Sequence, residues 1–140
     1  MKVVIDTNVF ISSFFKSSVN PIKIINLWKS GKITICISKE IFEEYFEVLI
    51  RLGMANEPEL EELADIFQRK ENMIYLNMVS KINLEIDDED DLKFIECALQ
   101  CKADYIISGD KHLLSLKEYK NIKILSPGEF LTAMDGIAAY

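Results

Sequence analysis

The apolar residues of this chain fall into short solid runs and longer interrupted ones, and the two kinds alternate. Val3-Val4-Ile5, Ile33-Thr34-Ile35-Cys36-Ile37, Met73-Ile74-Tyr75-Leu76, Tyr105-Ile106-Ile107 and Ile122-Lys123-Ile124-Leu125 are short and rich in β-branched residues, the pattern of strands buried in a parallel sheet. Between them, apolar residues recur at helical spacing. Asn20-Pro21 predicts a helix start, with Ile24, Ile25 and Trp28 as its stripe and Gly31 as its end. Ser38 predicts the cap of a second helix running to about Leu52, whose buried arc is Ile41, Tyr45, Val48, Leu49 and Leu52. Asn56 to Lys70 reads as a third, through Leu60, Leu63, Ala64 and Phe67. Ser126-Pro127-Gly128-Glu129 is a capping box that opens a last helix. Strands alternating with helices predict an α/β fold with a parallel sheet wrapped on both faces.

Acidic residues sit at the joints of this pattern. Asp87-Asp88-Glu89-Asp90-Asp91 precedes a helical stripe of Phe94, Ile95, Ala98 and Leu99. Asp91 falls on the core-facing edge of that helix, and Asp87, Asp88 and Glu89 on its solvated side. Acids favour helix N-termini through capping and the macrodipole alone. Asp6 and Asp110 change the picture. Asp6 directly follows Val3-Val4-Ile5, and Asp110 closes Tyr105-Ile106-Ile107-Ser108-Gly109-Asp110. Both therefore lie where strands of an open α/β sheet end and ligands bind. On the Ser38 helix, Glu40, Glu43 and Glu47 cluster on the solvated side at about 100° per residue. Glu44 falls at the border of the apolar arc. It competes with Glu43 as the acid nearest the strand ends.

Composition narrows the setting. With 140 residues, 49% hydrophobic and 28% charged, the chain fits one folded domain spanning residues 1–140. A formal net charge of −7 repels nucleic acid, so action on a polyanion needs bound cations or a local basic rim. Lys16, Lys23, Lys29, Lys32, Lys111 and His112 are the cations assigned to such a rim. Asp6 comes too early for a signal peptide, and no apolar run reaches the length of a membrane span. Three cysteines (Cys36, Cys97, Cys101) form no CxxC, which fits a reducing cytoplasm better than a disulfide framework. Cys97 and Cys101 lie one helical turn apart and would reach zinc only with His112; small apolar packing explains them better.

Four carboxylates at one sheet edge repel each other by roughly 3 kcal/mol per pair at about 5 Å and an effective dielectric near 20. Folding tolerates this when a cation binds or some acids keep a proton. An oxygen-only donor set favours Mg²⁺ or Mn²⁺ over zinc, and such a site suits in-line hydrolysis of a phosphodiester.

Four ordered motifs carry a resemblance. Val3-Val4-Ile5-Asp6-Thr7-Asn8-Val9-Phe10, Ser38-Lys39-Glu40-Ile41-Phe42-Glu43-Glu44-Tyr45, Asp88-Glu89-Asp90-Asp91-Leu92-Lys93-Phe94-Ile95-Glu96-Cys97-Ala98, and Ala103 to Leu114 together resemble the PIN-domain ribonucleases. The likeness is nearest to the prokaryotic toxin components of toxin–antitoxin pairs. It implies a three-layer α/β/α sandwich around a central parallel sheet, and Mg²⁺- or Mn²⁺-dependent cleavage of single-stranded RNA, often by a homodimer. The family's four catalytic, metal-ligating acids map on Asp6, Glu44, Asp91 and Asp110, with Thr7 and Asn8 in supporting places. Asp88 or Asp90 is a supporting partner or helix cap, and Lys111 with His112 stands where a cation meets substrate phosphate or merely solubilises the surface. An antitoxin, in this resemblance, is a small protein that inserts a basic side chain among the carboxylates. An RNA-processing nuclease without an antitoxin and a catalytically silent metal-binding module are the alternatives. An aspartyl phosphatase is disfavoured, because Asp6-Thr7-Asn8 lacks the Asp-x-Asp pair. Whether one or two metal ions bind stays open at this level.

Overall fold

A computed structural model describes the backbone of residues 1–138 and the side chains of residues 1–136. In chain order the elements are β1 (Lys2–Ile5), α1 (Thr7–Ser12), α2 (Val19–Lys29), β2 (Thr34–Ser38), α3 (Lys39–Arg51), α4 (Pro58–Arg69) and β3 (Met73–Leu76). A 3-10 turn (Glu89–Asp91) then leads into α5 (Leu92–Cys101), β4 (Tyr105–Ile107), α6 (Lys111–Leu114), β5 (Glu118–Tyr119), β6 (Ile122–Leu125) and α7 (Pro127–Ala138). The strands form one sheet in the order β3-β2-β1-β4-β6-β5. All neighbours are parallel except β5 and β6.

This order has one reversal, and it positions everything that follows. From β1 the chain winds outward through β2 to β3, then crosses back to β4 on the other side of β1. Right-handed crossovers put the helices of the two halves on opposite faces. Accordingly α5 packs across β2, β1 and β4, while α2 contacts both α1 and α7. The result is the α/β sandwich the sequence predicted. Val3, Val4 and Ile5 have no exposed surface, because β1 is central and covered on both sides. Ile5 pairs with Ile107, and the Asp6 amide donates to the Ile107 carbonyl at 2.9 Å. The chain therefore leaves β1 and β4 side by side.

Four local expectations need correction. The first concerns α2, which starts at Val19 with Ser18 as N-cap, so Asn20-Pro21 lies inside the first turn. Proline fits there because first-turn amides have no intrahelical acceptor. Next, Leu52 lies past the end of α3 and is exposed, and on α4 the buried position is Ile66 while Ala64 faces out. The sheet also carries an antiparallel edge that apolar patterning did not show. Lys120 (φ 46°) and Asn121 (φ 71°) both adopt left-handed conformations, which lets β5 turn back on β6. Lysine is unusual at the first of those positions and masks the hairpin. Lastly, Cys36 and Cys101 form a disulfide between β2 and the end of α5, with Cα atoms 6.6 Å apart and Cys97 left as a buried free thiol. The pairing was hidden because β2 and the end of α5 meet only after the β3–β4 crossover.

Residues 77–88 have neither helix nor strand, although Ile82, Leu84 and Ile86 alternate inward against the core. Polar side chains of α5 hold them in place of a partner strand. Glu96, 4% exposed, accepts from the Ile82 amide at 2.8 Å, and Gln100 bonds both the Ser80 amide and the Met78 carbonyl. Among the described residues no helix is long and apolar enough to cross a membrane.

Candidate active site

The crevice outside the ends of β1 and β4 is the switch point at which open α/β sheets bind ligands. A cavity of about 190 Å³ lies there, lined by Asp6, Thr7, Asn8, Glu44, Val48, Asp88, Asp90, Asp91, Lys93, Phe94 and Asp110. Asp6 is placed by β1 and N-caps α1; Asp91 ends the 3-10 turn ahead of α5; Asp110 follows β4 and N-caps α6; Glu44 reaches in from α3. A larger aromatic groove of about 390 Å³, bounded by Phe42, Phe46, Phe67 and Tyr75, is lined by no acidic side chain.

Each carboxylate is held differently. Asp6 is 4% exposed, accepting from the Ser108 hydroxyl at 2.6 Å and, more weakly, from the Asn8 amide at 3.4 Å. Burial raises its pKa, the Ser108 and Asn8 hydrogen bonds oppose the rise, and the charges of Asp110 and Glu44 add to it. Ser108 is itself fixed, since its Oγ accepts from the Asp110 amide at 2.9 Å. Asp110 in turn accepts from the His112 amide at 2.8 Å. Glu44, half-buried, accepts from the Thr7 hydroxyl through Oε2 and from Lys93 Nζ, 2.7 Å away, through Oε1.

Asp91 stands apart. It is 7% exposed, and its Oδ2 is fully buried with no hydrogen-bond partner. Burial first, then the facing Asp110 carboxyl, then the charges of Asp6 and Asp88 push its pKa up to about 7. Near neutrality a substantial share of Asp91 therefore keeps its proton. Among the described residues no three acidic, histidine or cysteine side chains already close to metal-ligand geometry. The oxygen-only donor set and the orphaned Asp91 Oδ2 nevertheless fit a hard divalent ion.

The structure thus brings Asp6, Glu44, Asp91 and Asp110 to one cavity, with Thr7 and Asn8 beside them and Asp88 and Asp90 at its rim. Asp88 also accepts from the Asp90 amide at 3.0 Å and so caps the 3-10 turn. Glu43 is exposed and borders a different depression, with Glu40 and Lys81. Lys111 is exposed and does not line the cavity. His112 is exposed with Nδ1 3.1 Å from Asp87, and with Cys101 disulfide-bonded the Cys97–Cys101–His112 zinc grouping does not exist. None of the cations assigned to the rim lines the cavity; Lys29, for one, pairs with Glu62 at 3.1 Å. The cation that does line it is Lys93.

Sequence reasoning missed three residues here: Lys93, Ser108 and Tyr45. Tyr45 counts as core by periodicity, yet its hydroxyl donates to the Ile5 carbonyl at the end of β1. Ser108 is a fully buried polar residue two positions before Asp110, a signal present in the sequence.

Fold and cavity together define an α/β protein with an acid-lined crevice at its strand-order reversal. Residues 2–112, which include all four acids, match the PIN domain family. The chain belongs to the PIN-domain family, a family of nucleases. It is also 35% identical over 143 aligned positions to an uncharacterized protein of Methanocaldococcus jannaschii, with 94% of this chain and 90% of that protein covered.

Proposed function

We propose that this chain is a Mg²⁺- or Mn²⁺-dependent endoribonuclease that hydrolyses phosphodiester bonds in single-stranded RNA. The observation that carries the reading is that Asp6, Glu44, Asp91 and Asp110 line one cavity in which the Asp91 Oδ2 is buried without a partner. Asp6, Asp91 and Asp110 would hold the ion from the β1, α5 and β4 sides, and Glu44 closes the cavity from α3. When bound, a divalent ion supplies an activated water and charge stabilisation at the phosphoryl group.

The chain's own residues supply the rest. Ser108 and the Asn8 amide orient Asp6. Thr7 and Lys93 fix the Glu44 carboxylate. Asp91 keeps its proton near neutrality until a cation displaces it. Lys111, exposed one residue after Asp110, lies outside the cavity lining and would meet an RNA phosphate only beyond it. The toxin role and a homodimeric state belong to the same reading and rest on the four-motif resemblance; a cytoplasmic site of action belongs to it without support from the cysteines, because Cys36 and Cys101 are bonded rather than reduced. An antitoxin that inserts a basic side chain would meet the aspartates, because Lys93 already occupies the Glu44 side.

The test uses an unpaired fluorescent RNA with Mg²⁺, Mn²⁺ or EDTA. Cleavage is expected with either metal, and none in EDTA. Asp6→Asn and Asp91→Asn are each expected to lose about 100-fold or more in rate with unchanged circular dichroism. Undiminished cleavage by both variants refutes the assignment.

A further inference from the structure

We propose that Lys93 is the built-in cation of the acid cavity: its ammonium neutralises Glu44 and takes the place of a second metal ion, leaving a single divalent ion to Asp6, Asp91 and Asp110. The inference rests on the metal-dependent reading above and adds the number of ions and the residue that sets it.

The placement of Lys93 goes against its local preference. It is the second residue of α5, where the helix dipole favours acids and disfavours a cation. Lysine there ordinarily extends into solvent, but this side chain is 9% exposed and ends 2.7 Å from Glu44 Oε1. Its Nζ also lies 5.6 Å from the centre of the Phe94 ring, a further contact on the cavity side. With Thr7 on Oε2, both Glu44 oxygens are engaged and its charge is balanced. The three aspartates differ. Asp6 is bonded by the Ser108 hydroxyl and the Asn8 amide, and Asp110 by the His112 amide; these donors are neutral. Asp91 Oδ2 has no donor at all.

Unbalanced negative charge is therefore confined to the aspartates. Glu44 and Lys93 cancel, so a divalent ion among Asp6, Asp91 and Asp110 meets only aspartate charge, to which Asp88 and Asp90 at the rim add. A second ion next to Glu44 would sit against the ammonium, and the repulsion between the two cations disfavours its binding. Lys93 acts through Glu44 and the ion count, and is a positioning residue.

Mn²⁺ stoichiometry and affinity, measured on the full chain by titration calorimetry and by loss of the free-Mn²⁺ electron paramagnetic resonance signal, test this. Wild type and Lys93→Arg are expected to bind one ion. Lys93→Gln is expected to bind two, because Glu44 is released. The doubly neutral Glu44→Gln/Lys93→Gln variant is expected to return to one ion, with affinity within about threefold of wild type. It also keeps the test open if Lys93→Gln does not fold, because a loss beyond about tenfold in the double variant makes Glu44 a ligand and overturns the inference. Two ions in wild type, or one ion at unchanged affinity in folded Lys93→Gln, overturn it as well while leaving a metal-dependent nuclease intact. A wild-type chain that binds no Mn²⁺ removes the metal-dependent reading itself, and this inference with it.

Discussion

Replacing Asp91 by asparagine should make the metal-free protein more stable while abolishing its activity. The reason lies in the orphaned Oδ2 and the carboxylates around it. Asp91 is shifted from an ordinary 3.8 to about 7, chiefly by burial and then by Asp110, Asp6 and Asp88. About 3 pH units at 1.36 kcal/mol each set a ceiling of about 4 kcal/mol on the penalty for ionising it in the fold. The cavity is open to solvent, and screening reduces the expected effect to about 1–2 kcal/mol. The sign follows from proton binding. Between about pH 4 and 7 the native chain keeps a proton that the unfolded chain has lost, so stability falls as pH rises through that window and the full penalty applies above it. The asparagine side chain is uncharged throughout this range and escapes the penalty. In thermal melts with EDTA, the variant should match wild type near pH 4 and exceed it by about 3–8 °C at about pH 8. A gap that does not change with pH, or a variant less stable than wild type at the alkaline end, refutes the electrostatic account of the site.

Two further outcomes follow from single contacts. Ser108→Ala removes the 2.6 Å bond that opposes the burial shift of Asp6, and should weaken Mn²⁺ binding by about 10–100-fold with a stability loss of about 1–2 kcal/mol; metal affinity within twofold of wild type counts against a role for Ser108. Reducing the Cys36–Cys101 bond, which closes a span of 65 residues, should lower unfolding stability by about 4 kcal/mol on the chain-entropy estimate; identical urea midpoints with and without dithiothreitol show that the bond does not constrain the chain in solution.

The parts legible in the sequence are those whose cause is local. Val3-Val4-Ile5 reads as a central strand because it has no polar side to offer water, and Ser126 with Glu129 reads as a capping box because both hydrogen bonds lie within one turn. Asp6 and Asp110 were visible as acids at strand ends for the same reason. Glu44 was separable from Glu43 by about 100° of helix rotation, and the structure has the first facing the cavity and the second facing solvent. What stayed hidden depends on partners from distant segments. Lys93 looks like a surface lysine until α3 brings Glu44 to it. Cys36 and Cys101 look like unrelated small apolar residues until the crossover from β3 places α5 over β2. The β5 hairpin was obscured by its own turn, since Lys120 adopts a left-handed conformation that its residue type does not advertise.

Helix α5 concentrates obligations that other folds distribute. Its leading end presents Asp91 and Lys93, its middle grips the irregular strap of residues 77–88 through Glu96 and Gln100, and its trailing end is bolted to β2 through Cys101. Inserting or deleting one residue midway would swing one half by about 100° against the other, so no adjustment could keep both ends in register. A length change inside α5 is therefore expected to displace either the acid cavity or the Cys36–Cys101 bond. The same anchoring at three points ties the cavity's charged residues to the sheet through a single helix.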